Sequence, residues 1–158
     1  MIRELSSKDT LAIYEVINVA ARAYKGVIPS DRYHEPYMPK EELHREMASM
    51  TFLGWDTGEK IVGVMGFQLV KDVTLVRHTY VLPDYQRKGI STELVNHVKH
   101  MTKTRYLLVG TWTDASWAIA FYQKHGLKLM PNKDELLRKY WHIPRRQIET
   151  SVVLGIEI

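Results

Sequence analysis

The hydrophobic pattern of the first half of the chain changes its period twice. Met1–Leu5 has the pattern of a short strand. The spacing Ser6-x-x-Asp9 resembles a capping box, and apolar residues keep helical spacing from there to Tyr24. A second amphipathic helix begins near Glu41, after an irregular stretch that contains several prolines. We therefore expect a strand and two helices before residue 51.

Three strand-like runs follow the second helix. They span Thr51–Trp55, Lys60–Val70 and Val73–Leu82. An Asp-Thr-Gly turn separates the first pair, and only Lys71-Asp72 separates the second pair. Such short connections favour an antiparallel meander.

Helix and strand patterns alternate after residue 82. The predicted elements are a polar loop at Pro83–Ser91, a helix from Ile90, a strand at Tyr106–Thr111, a helix at Ala115–His125, a strand at Leu127–Met130, a helix at Asp134–Trp141 and a strand at Ser151–Ile158. A strand–helix–strand order implies a parallel crossover. We therefore predict a single domain over residues 1–158 of the α/β class (α+β, mixed sheet), with about seven mostly antiparallel strands flanked by helices.

The composition is that of a soluble globular protein. The 158 residues are 45% hydrophobic and 25% charged, and cysteine is absent. Disulfides, thiol chemistry and cysteine-based zinc sites are therefore excluded. No apolar run approaches the ~20 residues that a membrane span needs, and the N-terminus has no secretory pattern. We expect a cytoplasmic protein without a membrane partner.

The net charge of +4 is unevenly distributed. Cations predominate from residue 86 to residue 105, where an anion would be attracted, while residues 30–47 are weakly acidic. A basic chain can also bind nucleic acid, but no helix-turn-helix, zinc finger or RNA-binding aromatic motif is present, so we expect no nucleic-acid partner. His97 and His100 have no third ligand at a recognised spacing, so we expect no metal.

The segment from Val81 to Ser91 is the strongest candidate for a ligand site. A strand ends there, a short loop turns, and a helix begins, so backbone N–H groups at the helix start point outward and can bind an anion. Gly89 permits close backbone approach, and Arg87 and Lys88 add positive charge. The segment matches neither a Walker A loop nor a dinucleotide fingerprint. Considered alone, it fits a phosphate site or a solvated turn equally well.

Two motifs resemble those of the Gcn5-related N-acetyltransferases (GNAT). The run Tyr80-Val81-x-Pro-x-Tyr-Gln-Arg-x-Gly-Ile-Ser91 is similar to the family's acetyl-CoA loop, Gln/Arg-x-x-Gly-x-Gly/Ala, with serine as the last small residue. Ala118–Leu127 is similar to the family's later helix, Ala-x-x-Phe/Leu-Tyr-x-Lys-x-Gly-Phe. Ala115 stands where that family often has asparagine.

The resemblance implies the acyl-CoA N-acyltransferase (GNAT) fold and an enzyme. The expected activity is transfer of an acetyl group from acetyl-CoA to a primary amine of a small molecule or peptide, by direct attack in a ternary complex. Acetyl-CoA, or coenzyme A, is then the co-substrate, with no metal. The residues expected to bind it are Tyr80, Val81, Gln86, Arg87, Lys88, Gly89, Ile90, Ser91 and Thr92.

The resemblance also implies catalytic roles. The N–H of Val81 would polarise the thioester carbonyl, near a bulge that splays its strand from Tyr106–Thr111. Tyr122 would protonate the departing thiolate. Gly110 and Leu75 occupy positions where relatives carry a glutamate base. His78 is the best titratable replacement, and the alternatives are His34, Glu35, Asp114 and a water relay.

The acceptor side is less defined. The family's connection between the first two helices corresponds to Tyr24–Tyr37, and its aromatic rings and carboxylates suit a cationic amine. The substrate-binding candidates are Tyr24, Tyr33 and Glu35. Arg145 and Arg146 are candidates for an acidic substrate group or the 3′-phosphate of CoA. A homodimer is left open, as is a catalytically silent acyl-CoA-binding sensor or regulatory protein of the same fold.

Overall fold

A computed structural model describes residues 1–158 and confirms the expected sheet. Seven strands form one mixed sheet in the order β1-β2-β3-β4-β5-β7-β6, flanked by helices. The strands are β1 (Ile2–Glu4), β2 (Thr51–Asp56), β3 (Ile61–Val70), β4 (Val73–Val81), β5 (Tyr106–Trp112), β6 (Lys128–Leu129) and β7 (Ser151–Glu157). The pairs β1–β2, β2–β3, β5–β7 and β6–β7 are antiparallel.

The helices follow the predicted order with one addition. They are α1 (Thr10–Ala20), α2 (Lys40–Ser49), α3 (Ile90–Met101), α4 (Ser116–Lys124), α5 (Lys133–Tyr140) and α6 (Arg145–Glu149). The sequence pattern missed α6, because a five-residue helix is too short to show an apolar period. None of these helices has the length and apolar character needed to cross a bilayer.

The capping box at the start of the chain is confirmed, but it caps a shorter element than expected. The N–H of Ser6 donates to Oδ2 of Asp9 at 2.9 Å, and the pair closes a 3₁₀ turn at Ser7–Asp9. The first helix, α1, begins only at Thr10 and ends at Ala20, and a second 3₁₀ turn continues to Tyr24. Helix α1 is therefore shorter at both ends than the apolar spacing predicts.

Contacts within the chain group into two compact units. The first comprises residues 1–23, 34–68 and 76–101, and so contains β1, β2, most of β3 and β4, and α1–α3. The second comprises residues 24–33, 69–75 and 102–158, and so contains the end of β3, the start of β4, β5–β7 and α4–α6. The single-domain interpretation stays a prediction.

Helix α2 packs on the core of the first unit through Leu43, and two hydrogen bonds between Asn18 and Met38, here called the clamp, fix the chain before it. Leu43 of α2 is completely buried, as are Ile13 and Ile17 of α1. Asn18 of α1 accepts a hydrogen bond from the N–H of Met38 at 2.8 Å and donates to its carbonyl at 3.0 Å. The clamp fixes the chain just before α2 begins.

The second unit has its own hydrophobic core. Its buried residues come from β4, β5, β7, α5, α6 and the segment after α5, and they are Val73, Leu75, Leu108, Leu137, Tyr140, Trp141, Ile148 and Val153. The hydroxyl of Tyr140 donates to Oδ1 of Asp72 at 2.7 Å. Burial raises the pKa of Tyr140, and this hydrogen bond adds to the shift.

Leu43→Ala should destabilise the protein by about 2–5 kcal/mol, because it leaves a cavity under α2 that the packed surroundings cannot fill. Leu11→Ala is the matched control, since Leu11 is also a helical leucine but is 68% exposed. That change should alter the free energy of unfolding by less than about 0.5 kcal/mol. Urea denaturation of both variants measures the difference, and equal losses would contradict the assigned core.

Candidate active site

The loop between β4 and α3 has the backbone geometry of an anion site. After a 3₁₀ turn at Pro83–Tyr85, Arg87 and Gly89 both have positive φ, at 62° and 81°. Alternation between left-handed and ordinary backbone turns successive N–H groups toward one point. The N–H of Glu93 donates to the Gly89 carbonyl at 3.0 Å, and helix α3 begins at Ile90. The amides of the first turn therefore lie where a helix end attracts negative charge.

The side chain of Gln86 makes a hydrogen bond within the loop. Its Nε2 donates to the carbonyl of Val81 at 3.0 Å, which ties the loop back to the end of β4. Its side chain therefore shapes the loop, while its exposed neighbours Arg87, Lys88 and Gly89 face solvent. Ile90 is buried and anchors the start of α3, and Ser91 and Thr92 are half-buried. The nine predicted cofactor residues thus include some that shape the loop and others that are accessible to a ligand.

Tyr85 brings two lysines to the same loop. The Nζ of Lys88 lies 5.3 Å from the centre of its ring, and the Nζ of Lys60 lies 5.6 Å from it. Lys60 belongs to the turn between β2 and β3, and no sequence pattern indicated that it lies near this loop. Both ammonium groups are held near the loop by attraction to the ring face, which adds to its positive potential.

A distortion interrupts β4 at His78. This residue has φ 57°, the left-handed conformation that side chains other than glycine adopt rarely, although histidine is among the more tolerant. Such a residue is typical of a β-bulge, which bends a strand and redirects its side chains. The resemblance implied a bulge near Val81, and the distortion lies three residues before it. The regular alternation that predicted a common face for His78 and Tyr80 is broken at this point.

The side chain of His78 is held by two others, Glu46 and Phe52. Its Nε2 lies 3.1 Å from Oε1 of Glu46 on α2, and its ring stacks on Phe52 with the planes 15° apart. Arg77 also contacts Oε1 of Glu46, at 3.2 Å. Burial raises the pKa of Glu46, but the hydrogen bond to His78 and the charges of His78, Arg77 and Arg45 outweigh burial, so its pKa lies below the usual value.

Sequence reasoning missed Glu46. The acidic run of α2 reads as a solvated face, and no motif includes this residue. One signal was available, because Glu46 follows the buried Leu43 by three positions and so lies on the same side of the helix. A carboxylate on the apolar side of an amphipathic helix requires a partner.

Tyr122 lies in the second unit on α4. It is only 5% exposed, and its ring meets that of Phe121 edge-on with the centroids 5.1 Å apart. Helix α4 starts behind Ala115, which is completely buried and provides no side-chain cap. Asp114 and Ser116 are exposed on either side of it. An asparagine side chain can cap a helix by hydrogen bonding, and the methyl group of Ala115 cannot.

Trp141 explains the glycine at position 110. A Cβ added to Gly110 would lie 3.3 Å from Cζ2 and 3.4 Å from Cε2 of Trp141, which is tighter than ordinary van der Waals contact. The indole is itself 92% buried. The position where the resemblance implied a glutamate base is therefore covered by an indole in this chain, and a side chain there would require the indole to shift by a few tenths of an ångström.

The acceptor candidates are divided between the two units. Tyr24 stacks on Trp117 of α4 with the ring centroids 5.9 Å apart, and both belong to the second unit, as does Tyr33. Trp117 is 46% exposed and was not predicted. Glu35 belongs to the first unit and is exposed. Tyr24 therefore forms an aromatic pair with Trp117, and its contact with an acceptor stays a prediction.

The two arginines of α6 are already engaged in ion pairs. Arg146 makes a two-point contact with Asp31, with Nε 3.0 Å and Nη2 3.2 Å from its carboxylate oxygens. This hydrogen-bonded pair lowers the pKa of Asp31. Arg145 lies 3.3 Å from Glu149 one turn further along the helix. An acidic substrate group or a 3′-phosphate would have to compete with these carboxylates.

Known proteins match this chain in sequence and in fold. The sequence model described as the acetyltransferase (GNAT) family matches residues 13–127. The PaiA N-acetyltransferase of Thermoplasma acidophilum, solved in complex with coenzyme A, superposes with a TM-score of 0.78 at 19% identity, covering 100% of this chain and 98% of that one.

Two further structures give the same result. A GNAT-family acetyltransferase of Elizabethkingia anophelis with acetyl-CoA bound has a TM-score of 0.71 at 19% identity, covering 100% of this chain and 97% of that one. An acetyltransferase of Thermus thermophilus has a TM-score of 0.74 at 14% identity, covering 100% and 96%. At these identities the structural matches show a common fold.

The ionised carboxylate of Glu46 should stabilise the folded protein, and this contribution should be lost at acid pH. Its pKa in the folded protein lies below the 4.5 of a free glutamate, so its contribution is complete above pH 4.5 and is lost as the pH falls through the folded-state pKa. The free-energy difference between the wild type and Glu46→Gln should therefore shrink from pH 5 to pH 3. Urea denaturation across that range measures it, and the other carboxylates cancel because both proteins carry them. A difference that stays constant would contradict the charged pair.

Proposed function

The chain belongs to the acetyltransferase (GNAT) family, and on that premise we propose that it transfers an acetyl group from acetyl-CoA to a primary amine of a small molecule or peptide. Transfer would occur by direct attack of the amine within a ternary complex. Membership of the family supports acyl transfer in general. The choice of acetyl-CoA and of an amine acceptor rests on the residues described above.

The single observation that carries the donor half is the loop between β4 and α3. Coenzyme A contains a pyrophosphate, and a pyrophosphate fits a helix start whose amides point outward. Arg87 and Gly89 have the left-handed backbone that such a cradle needs. Holding the arginine in that conformation costs about 1–2 kcal/mol, a cost that anion binding would explain. The lysine ammonium groups at Tyr85 lie close enough to add long-range attraction.

The proposed chemistry needs three groups. The amine nitrogen attacks the thioester carbonyl, a C–N bond forms, and the C–S bond breaks. The backbone N–H of Val81 stabilises the developing oxyanion. Tyr122 donates its proton to the departing thiolate, since a phenol with an ordinary pKa near 10 is protonated at neutral pH. The proton lost from the amine passes to His78 or to water.

The acceptor is proposed from the residue types of the segment between α1 and α2. Tyr24, Tyr33 and Glu35 are the proposed substrate-binding residues. Aromatic faces and a carboxylate suit a cationic amine, which must lose a proton before it attacks. The homodimer and the cytoplasmic location stay predictions.

A thiol-release assay tests the activity and the acceptor together. The purified protein is incubated with acetyl-CoA and with polyamines, amino acids, aminoglycosides or peptides with free N-termini, and released CoA is measured. Amine-dependent release is expected with at least one class. Thermal stabilisation by CoA without release would favour the silent acyl-CoA-binding alternative, and the absence of any stabilisation by excess CoA would contradict the donor assignment.

Gly89→Ala should weaken CoA binding by about tenfold or more, because a misdirected amide loses a charge-assisted hydrogen bond worth about 1.5–3 kcal/mol. Gly26→Ala is the matched control. Both glycines have left-handed φ, at 81° and 77°, and a Cβ at either would meet nothing within 4 Å. Both variants should therefore lose a similar ~1–2 kcal/mol of stability. Calorimetric titration with CoA separates them, and equal affinities would contradict the phosphate site.

Tyr122→Phe should lower turnover by about 10²-fold or more and leave CoA affinity nearly unchanged, because it removes only the proton donor. Tyr140→Phe controls for the loss of a buried hydroxyl, since that hydroxyl is hydrogen-bonded to Asp72. It should lower the free energy of unfolding and spare turnover. Steady-state kinetics on the best amine of the panel would show this. Unchanged turnover in Tyr122→Phe would remove the residue from the mechanism.

A further inference from the structure

The pairing of α2 with β4 assigns a role to a residue that no motif includes. We propose that Glu46 is a positioning residue that fixes the orientation and the tautomer of His78, so that Nδ1 of His78 is the atom that accepts the proton of the acceptor amine. This inference rests on the proposed function, in which His78 is one of two candidate destinations for that proton.

The imidazole is constrained from three directions. Nε2 lies 3.1 Å from Oε1 of Glu46, and the ring lies nearly parallel to that of Phe52, 6.1 Å away between centroids. The left-handed φ of His78 sets the direction in which its Cβ leaves β4. Rotation of the ring about its side-chain bonds would break the hydrogen bond or the stacking. The side chains of His78 and Glu46 are 15% and 16% exposed, so little water competes for the hydrogen bond.

The hydrogen bond determines which nitrogen carries the proton. An ionised carboxylate can only accept, so a neutral His78 must hold its hydrogen on Nε2. Its lone pair is then on Nδ1. When the amine attacks and the C–N bond forms, Nδ1 takes the excess proton and the ring becomes an imidazolium paired with Glu46. The C–S bond breaks and the thiolate receives its proton from Tyr122. His78 then releases its proton to solvent, and the Tyr122 phenolate takes one up from solvent, which restores both residues.

Arg77 favours the ionised form of Glu46, which can only accept hydrogen bonds. Its Nη2 lies 3.2 Å from the same Oε1 that contacts His78, and its Nη1 lies 3.4 Å from the amide oxygen of Gln68 on β3. Arg45 on α2 adds a second positive charge near Glu46. These cations favour the ionised carboxylate, which makes Glu46 a poor base itself and a good partner for an imidazolium. The lowered pKa of Glu46 agrees with this assignment.

Three variants separate positioning from simple structural support. Glu46→Gln keeps an acceptor for the N–H of Nε2 but removes the charge, while Glu46→Leu removes both. Arg77→Met is the matched control, since it also breaks an ion pair to Oε1 of Glu46 and leaves the contact with His78 in place. His78→Asn removes the imidazole and keeps a side chain that tolerates left-handed backbone.

The first measurement is long-range ¹H–¹⁵N NMR of the histidine rings at pH 8, with His78→Asn identifying the signal. The wild type should show His78 with its hydrogen on Nε2, Glu46→Gln should keep that tautomer, and Glu46→Leu should yield a mixture. A wild-type ring with hydrogen on Nδ1, or a tautomer unaffected by Glu46→Leu, would overturn the inference. This measurement needs no acceptor, so it tests the positioning of His78 by Glu46 even if no amine is accepted.

The second measurement is the pH dependence of kcat/KM with the best amine. Removing a carboxylate that pairs with the imidazolium should move the midpoint of the acid limb to lower pH in Glu46→Gln. Arg77→Met should move it to higher pH or leave it unchanged, and His78→Asn should abolish the limb with a loss of about 10²-fold or more in kcat. Midpoints that agree among the wild type, Glu46→Gln and Arg77→Met would overturn the inference.

The two proposals fail in different ways. If CoA neither stabilises the protein nor is released from acetyl-CoA, the proposed function fails, whatever the tautomer of His78. If CoA is released and Tyr122→Phe is inactive, but His78→Asn keeps its turnover and its pH profile, the proposed function stands and the positioning role of Glu46 is refuted.

Discussion

The left-handed backbone of His78 is the constraint on which the arrangement of the first unit depends. A residue with φ 57° inside a strand costs about 1–3 kcal/mol and persists only where its surroundings hold it. Here they do so through Glu46 of α2 and Phe52 of β2. Helix α2 is in turn held by Leu43 and by the clamp of Asn18 on the chain before it. The distortion and the helix that stabilises it therefore belong to one cooperative arrangement.

The same strand leads into a second region of unfavourable backbone only a few residues later. Arg87 and Gly89 turn the chain with positive φ, and Gln86 returns to the carbonyl of Val81, where β4 ends. Ile90 then buries its side chain and starts α3. Two of the three non-glycine residues with positive φ, His78 and Arg87, thus lie in this stretch, and the third, Lys71, lies in the turn between β3 and β4. A strained segment between rigid elements is the arrangement expected where backbone amides must meet a ligand in fixed positions.

Local patterns predicted what depends on neighbouring residues. The seven strands, the order of the longer helices, the capping box and the loop after β4 all follow from short-range periodicity and turn chemistry. Helix α6 was missed because five residues show no period. Glu46 was missed because its partners, His78 and Arg77, lie more than thirty positions away in sequence. Local sequence patterns do not predict contacts over such separations. The left-handed φ of His78 was not predicted either, because the residue types of a strand do not indicate where a bulge lies.

The indole over Gly110 limits which side chains positions 110 and 141 can carry together. A Cβ at position 110 would lie 3.3 Å from Cζ2 of Trp141, so the indole would have to shift by a few tenths of an ångström to accommodate even an alanine. A longer side chain such as a carboxylate would need still more room. A tryptophan at position 141 and a carboxylate at position 110 therefore disfavour each other in this fold, although about thirty positions separate them in sequence. The choice of residue on strand β5 is thus linked to the packing of the segment after α5.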